Sequence, residues 1–362
     1  MRILQVLPHL NIGGITTYTY TLAKYLKEKG IEVAICSSGG NQANKFKELG
    51  IKLYEIPIKT KNELSSKIIA SAIKIAKIHK QFPYNLIHSH TRVTQVASQL
   101  SSLFTKIPHL ANFHGFYKKN KTRKIRKIIK AQGKYSIAIT PLVKDDLINY
   151  FGADPKKIKT ILSGIDLETL NQKTPSLQLE GNPIVGASGR LSSVKGFQYL
   201  IASIPKVLET YPKAKFYILG EGSYQETLMD LVKKLKINNH LTLLQRKPLS
   251  AFLNSLDIFC LPSLEEPLGL SVVEAQYLGI PPIVSGVDGL NLLVSQEKTG
   301  LKVPIGDSLA IAEAIIKLKK NKELYQTISK NARNQVIDKF DITKKIDSFI
   351  EIYEKAIKDN NS

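Results

Sequence analysis

Cysteine is almost missing from this chain: Cys36 and Cys260 are the only two, far apart and each set in an apolar run. Thiols placed this way read as small core residues, which excludes a disulfide scaffold, a redox pair or a cysteine metal site. Acid is scarce as well, with 30 Asp or Glu against 52 Lys or Arg and a net charge of +22. Such a balance calls for an anionic partner. No apolar run approaches the ~20 residues that cross a bilayer. The N-terminus, Met1 to Pro8, is one short apolar strand stopped by a proline rather than a leader. The expectation is a cytoplasmic chain, neither secreted nor membrane-spanning. Low-complexity tracts and short tandem repeats are lacking, the seven His do not combine with Cys or carboxylates at zinc-ligand spacing, and no RRM, KH or helix-turn-helix pattern accompanies the charge.

What is present is a regular alternation. At 362 residues and 43% hydrophobic content the chain has room for two cores. Short apolar strands are expected at Ile3–Leu7, Glu32–Cys36, Lys52–Ile56, Asn85–His88, His109–Phe113, Ser136–Thr140 and Thr160–Leu162. After a polar segment rich in Asn, Pro and Gly, from Glu168 to Pro183, the pattern restarts at Ile184–Ser188, Lys215–Leu219, Leu241–Leu244, Ile258–Leu261, Pro282–Ser285 and Leu301–Val303. Helix-length periodic segments separate the strands, which argues for parallel βαβ units and an α/β fold. The expected division is a first domain over 1–167, a linker over 168–183, a second domain over 184–340 and a closing helix over 341–362.

The densest chemistry lies in Ser263-Leu-Glu-Glu-Pro-Leu-Gly-Leu-Ser-Val-Val-Glu274. Glu266 and Glu274 flank a strand-to-helix turn containing Gly269, with Leu270 opening the helix and Gly279-Ile-Pro-Pro ending it. A helix N-terminus at the carboxyl end of a strand offers free N–H groups and a positive dipole end to a diphosphate. A carboxylate such as Glu274 accepts hydrogen bonds from two vicinal hydroxyls. Ser271-x-x-Glu274 also fits a helix capping box, a structural alternative for the same residue. Two further turns have the same character. Gly13-Gly14 follows the first strand, ahead of a helix whose apolar face includes Tyr18, Leu22 and Leu26. Arg190 and Lys195, in Gly189-Arg-Leu-Ser-Ser-Val-Lys-Gly196, follow the first strand of the second half, where two cations would stabilise a departing diphosphate without a metal. His114 ends a first-half strand, placed to hydrogen-bond a sugar hydroxyl or to receive a proton.

These motifs, in this order, resemble the GT-B glycosyltransferases of retaining family 4, with Glu266, seven residues, Glu274 as the signature pair. The resemblance implies two Rossmann-like doubly wound domains facing a cleft, with the last helix crossing back onto the first domain through Ile346, Phe349, Ile350 and Tyr353. It implies that Glu274 holds a nucleotide ribose, that Glu266 lies near the donor sugar, and that Arg190 and Lys195 contact the two phosphates. It places Gly13 and Gly14 beside the donor diphosphate, Gly222 of Gly220-Glu-Gly beside the nucleotide, Arg246 near the base, His114 near the reacting sugar, and His88 and His90 along the acceptor. The implied catalytic set is His114, Arg190, Lys195 and Glu266, with a nucleoside-diphosphate sugar as co-substrate, no metal and no other cofactor. One departure stands out: where relatives carry Gly-Gly-x-x-Glu, this chain has Asp288-Gly289 with Leu292 in the Glu position.

Between Lys118 and Lys134 the sequence carries nine Lys or Arg and no acid, with Ile125, Ile128 and Ile129 on one helical face. A basic helix with an apolar stripe docks a peripheral enzyme on anionic lipid at about 1 kcal/mol per basic residue; a solvated Lys-rich helix is the plainer alternative. The expected activity is therefore transfer of a sugar to a saccharide acceptor, a lipid-linked or lipopolysaccharide or capsule precursor, at the inner face of the cytoplasmic membrane, with no nucleic acid involved. A sugar-nucleotide epimerase of the same fold and a non-catalytic sugar-nucleotide-binding subunit are the rival expectations.

Overall fold

The computed structural model describes residues 1–116, 131–171 and 174–361. Most of the basic segment Lys118–Lys134, including Ile125, Ile128 and Ile129, lies outside the described residues. The chain divides into two compact units, one of Met1–Gly164 with Ile342–Ser362, the other of Ile165–Asp341.

The first unit is built on seven strands, β1 (Arg2–Val6), β2 (Glu32–Ser37), β3 (Lys52–Glu55), β4 (Leu86–Ser89), β5 (His109–Phe113), β6 (Tyr135–Ala138) and β7 (Ile158–Thr160). They form one sheet in the order β3-β2-β1-β4-β5-β6-β7, every pairing parallel. A parallel sheet covered on both faces needs strands that are apolar on both sides, and β1 shows it. Ile3 packs into one core with helix Gly14–Glu28, while Leu4 and Val6 pack into the other beneath helices Ser66–Gln81 and Arg92–Thr105. Cys36 sits fully buried in that second core, as a free thiol. Helix Ile346–Asn361 completes the unit: Ile346, Phe349 and Tyr353 are buried in the core that contains Ile3, and Ile350 packs against it.

The second unit carries β8 (Ile184–Ser188), β9 (Lys215–Leu219), β10 (Leu241–Leu244), β11 (Ile258–Leu261), β12 (Pro282–Ser285) and β13 (Leu301–Val303). Their order is β10-β9-β8-β11-β12-β13, again all parallel. In both sheets the order reverses beside the first strand, between β1 and β4 and between β8 and β11. That is where open α/β sheets leave a crevice outside the strand carboxyl ends.

The division between units falls at Gly164/Ile165, ahead of the expected linker. The backbone accounts for it: the Ile165 amide donates to Phe340 O at 2.7 Å, the Leu177 amide to Ser255 Oγ at 2.7 Å, and the Glu180 amide to Tyr217 Oη at 3.2 Å. The polar segment from Glu168 to Pro183, which opens with a short helix at Leu167–Asn171, is bonded to the second unit in its described part rather than spanning freely.

Candidate active site

In the second unit, the candidates gather at the strand-order reversal. The chain leaves β8 through Gly189 and an exposed Arg190, which has no partner among the described residues, then turns through Ser193–Lys195 into helix Phe197–Thr210. Gly196 makes that turn possible. Its φ is +67°, and a Cβ there would lie 1.8 Å from Pro262 O, so the loop after β8 rests on the loop after β11. The Leu264 amide donates to Val194 O at 2.8 Å and ties the two loops together.

Lys195 reaches from one loop to the other and forms a short ion pair with Glu266. Ser263 Oγ also donates to the same carboxylate oxygen, at 3.4 Å, and the Gly289 amide donates to Glu266 O at 2.9 Å. Two side chains thus hold the carboxylate and a third bond fixes the Glu266 backbone, while only 8% of the residue is exposed. Spacing alone pointed to neither Ser263 nor Gly289. The segment that departs from the family pattern supports Glu266 through its backbone, and Leu292 in the Glu position is 42% exposed.

Helix Leu270–Tyr277 begins at once after Gly269, which caps it at φ +92° with no side-chain cap bond. Ser271 is already the second helical residue, so the capping-box reading of Ser271 and Glu274 does not hold: an N-cap must precede the helical dihedrals. Glu274 is half-buried, its side chain has no hydrogen bond or ion pair among the described residues, and burial pushes its carboxyl up to about 7. A desolvated carboxylate with no partner among the described residues is the arrangement expected where a ligand supplies the partner.

Gly222 is explained by packing: a Cβ would meet Leu191 O at 2.2 Å, and the Leu191 amide donates to Glu221 O at 2.9 Å, so the loop after β9 lies against the loop bearing Arg190. Arg246 follows β10 with φ +52°, its Nε 3.4 Å from Glu221 Oε1 and its side chain largely exposed.

In the first unit, Gly13 and Gly14 open helix Gly14–Glu28, which has no side-chain cap. A Cβ at either glycine would meet nothing within 4 Å. The chain's own packing does not demand glycine there; open space in front of helical N–H groups is what an approaching anion requires.

Behind them lies a buried polar cluster. Tyr18 Oη donates to Asn112 Oδ1 at 3.5 Å, and Asn112 Nδ2 donates to His114 Nε2 at 2.7 Å. His114 Nε2 is also 3.2 Å from His90 Nδ1, the His88 and His90 rings lie 4.3 Å apart, and His88 Nδ1 is 2.8 Å from Tyr353 Oη of the last helix. The amide bond leaves the His114 proton on Nδ1 in the neutral ring. Two expectations change here. His88, in β4, and His90, just past its end, are 0% and 1% exposed, so both are covered, with His90 against His114, and neither is open to an acceptor in this structure. Burial also depresses His114 to about 3, which makes it a poor proton acceptor and leaves hydrogen bonding as the role its geometry supports. Tyr353 was visible in the sequence only as an apolar-face residue; its bond to His88 depends on where the last helix lands.

His88, His90, His109 and His114 are all depressed, first by burial. The unfolded chain binds protons at these groups below pH ~6.5, and the folded chain does not. Stability of the first unit is therefore present above that pH and lost as pH falls, by up to about 1.4 kcal/mol per pH unit for each group. Thermal melts between pH 7.5 and 5 will show it; a flat profile would mean that these rings take up protons in the fold.

Two all-parallel Rossmann-like units, each with candidate residues at its reversal of strand order, define the GT-B architecture. The model of the glycosyl transferases group 1 matches residues 170–335, and that of glycosyltransferase family 4 matches residues 12–169. The chain belongs to the GT-B glycosyltransferases of this group. It is 27% identical, over 88% of its length and 87% of the relative's, to the UDP-Gal:alpha-D-GlcNAc-diphosphoundecaprenol alpha-1,3-galactosyltransferase of Escherichia coli. It is 26% identical to N-acetyl-alpha-D-glucosaminyl L-malate synthase of Bacillus anthracis, over 97% and 96% of the two chains. Among solved structures, Anabaena Alr3699/HepE in complex with UDP and glucose superposes with a TM-score of 0.86 at 20% identity, covering 97% of this chain and 99% of that one.

Proposed function

We propose that the second unit binds the nucleoside diphosphate of a sugar donor and that the enzyme transfers the sugar, with retention of configuration, to a saccharide on a lipid carrier. The observation that carries the reading is the pairing of Lys195 with Glu266 beside a Gly269-capped helix that also bears the unpartnered, desolvated Glu274. In this reading Glu274 accepts two ribose hydroxyls, and the helix N-terminus and Arg190 meet the diphosphate. Lys195 moves between Glu266 and the phosphate whose charge grows as the glycosidic bond breaks. His114 donates a hydrogen bond from Nδ1 to a sugar hydroxyl. The lipid-linked acceptor and a UDP donor are supported by what the Escherichia coli relative acts on, and UDP also by the ligand of the Anabaena structure.

A panel of UDP-, GDP- and ADP-sugars screened by thermal shift tests the donor. Binding to the folded state alone raises stability by mass action, by about 2.7 kcal/mol at one hundred times Kd. Stabilisation by none of them would sink the assignment. Because Arg190, Lys195 and the helix N-terminus supply positive charge to the leaving diphosphate, transfer should persist in EDTA; a strict Mg²⁺ or Mn²⁺ requirement would contradict that charge balance.

The enzyme is further read as peripheral on the inner face of the cytoplasmic membrane, through the Lys118–Lys134 segment, on its sequence pattern. Among the described residues no helix is long and apolar enough to cross a membrane. Reversing Lys124, Arg126, Lys127 and Lys130 to Glu should lower binding to anionic vesicles and activity on a lipid-borne acceptor while sparing nucleotide affinity. Equal vesicle binding by both proteins would identify the segment as an ordinary solvated face.

A further inference from the structure

Several of the exposed large apolar side chains lie on two neighbouring helices. Phe104 and Leu103 are 73% and 68% exposed, the most of any large apolar residue among those described, and both sit at the end of helix Arg92–Thr105. That helix packs against helix Ser66–Gln81, whose outer face shows Ile69 at 59% and Ile73 at 47% exposure, one turn apart. Ile73 and Phe104 share the wall of a shallow apolar cavity of about 630 Å³, whose rim includes Lys77 and Lys80. An apolar patch of this kind, rimmed by charge, marks an interaction surface.

The charge selects the partner. Between Glu63 and Asp145 the 81 residues 64–144 contain sixteen Lys or Arg and no acid. Lys67, Lys74, Lys77, Lys80 and Lys106, on or beside the two helices, are exposed, and none forms an ion pair among the described residues. A second copy of the chain would bring the same cations against themselves, a like-charge contact that costs rather than stabilises. A planar anionic surface with an apolar interior matches both features at once: Ile73 and Phe104, with the exposed Ile69 and Leu103 on the same two helices, pass the headgroups and the lysine ammonium groups meet lipid phosphates.

We propose that the face shared by helices Ser66–Gln81 and Arg92–Thr105 docks on an anionic lipid bilayer. The proposal rests on the membrane reading above for its purpose, yet uses different residues, so the two can fail separately. It adds to the Lys118–Lys134 segment a folded surface that fixes how the first unit lies on lipid.

The chain contains no tryptophan, so Phe104→Trp installs a single reporter on the patch. With vesicles of phosphatidylcholine containing a quarter phosphatidylglycerol, its emission should shift to the blue and be quenched by brominated acyl chains; with pure phosphatidylcholine it should not. In that background Ile73→Asp with Leu103→Asp, or Lys77→Glu with Lys80→Glu, should lower the partition coefficient about tenfold or more. UDP-sugar thermal shifts should stay unchanged. Vesicle binding without any blue shift would overturn the proposal while leaving the Lys118–Lys134 reading intact. An unchanged partition coefficient in both pairs of variants would overturn it too. A blue shift that grows with protein concentration in the absence of lipid would assign the face to a second copy instead.

Discussion

Replacing Lys195 by alanine will lower kcat by about 10²-fold or more and will also destabilise the second unit, and a second substitution separates the two effects. The ammonium is the partner of a carboxylate that is 8% exposed, and removing one member of a buried pair leaves an uncompensated charge, at a cost of about 3 kcal/mol. In Lys195→Ala/Glu266→Gln the orphan charge is gone while Ser263 Oγ remains beside the side chain. Stability should return in the double variant. Turnover should not, because the cation proposed to meet the diphosphate is still missing. Recovery of both would show that Lys195 only neutralises Glu266. Arg190 provides the contrast: it is exposed, with no partner among the described residues, so Arg190→Ala should lower turnover with little change in melting temperature.

Glu274→Gln should do the reverse to the ligand-free protein: stabilise it while weakening donor binding. Burial raises the Glu274 carboxyl to about 7, above its value in the unfolded chain. The sign follows from proton binding: the folded state holds this proton longer, so the group's contribution to stability is complete below the usual carboxylate range and is lost as pH rises through 7. At pH 8 the neutral amide avoids that loss, a gain of about 3 kcal/mol for a shift of this size. Donor affinity should fall about 10²-fold, the value of two hydrogen bonds to a charged acceptor. Titration calorimetry and melts at pH 5 and 8 measure both quantities. Unchanged donor affinity would remove the ribose assignment, and equal stability at pH 8 would mean that the carboxylate has found a partner.

Much of this was legible in the chain. Central strands of a parallel sheet are largely apolar, so β5, β8, β9, β10, β11, β12 and β13 were located with their observed bounds from short runs rich in Val, Ile, Leu and Phe. The strand-to-helix turns were equally plain, because glycine adopts φ +67° at Gly196 or +92° at Gly269 without the strain a side chain would bring, and such residues mark the turn. Boundaries drifted by a residue at one or both ends of β1, β2, β3 and β4 and by up to two residues at β6 and β7, where polar residues flank or interrupt the apolar run.

What the sequence determined by itself is the alternation of strand and helix, the family resemblance, and the residue types that stand at each strand's carboxyl end, because these follow from local periodicity and turn chemistry. Tertiary structure decided which of those ends meet. The order β10-β9-β8-β11 lays the loop of Lys195 on the loop of Glu266, 71 positions away, and the return of the last helix sets Tyr353 on His88, 265 positions away. It also decided that His88 and His90 are buried and that Ile73 and Phe104 remain outside. Burial and partnership are properties of where separate segments come to rest, and no local pattern encodes the desolvation that sets the proton affinities of Glu274 and His114.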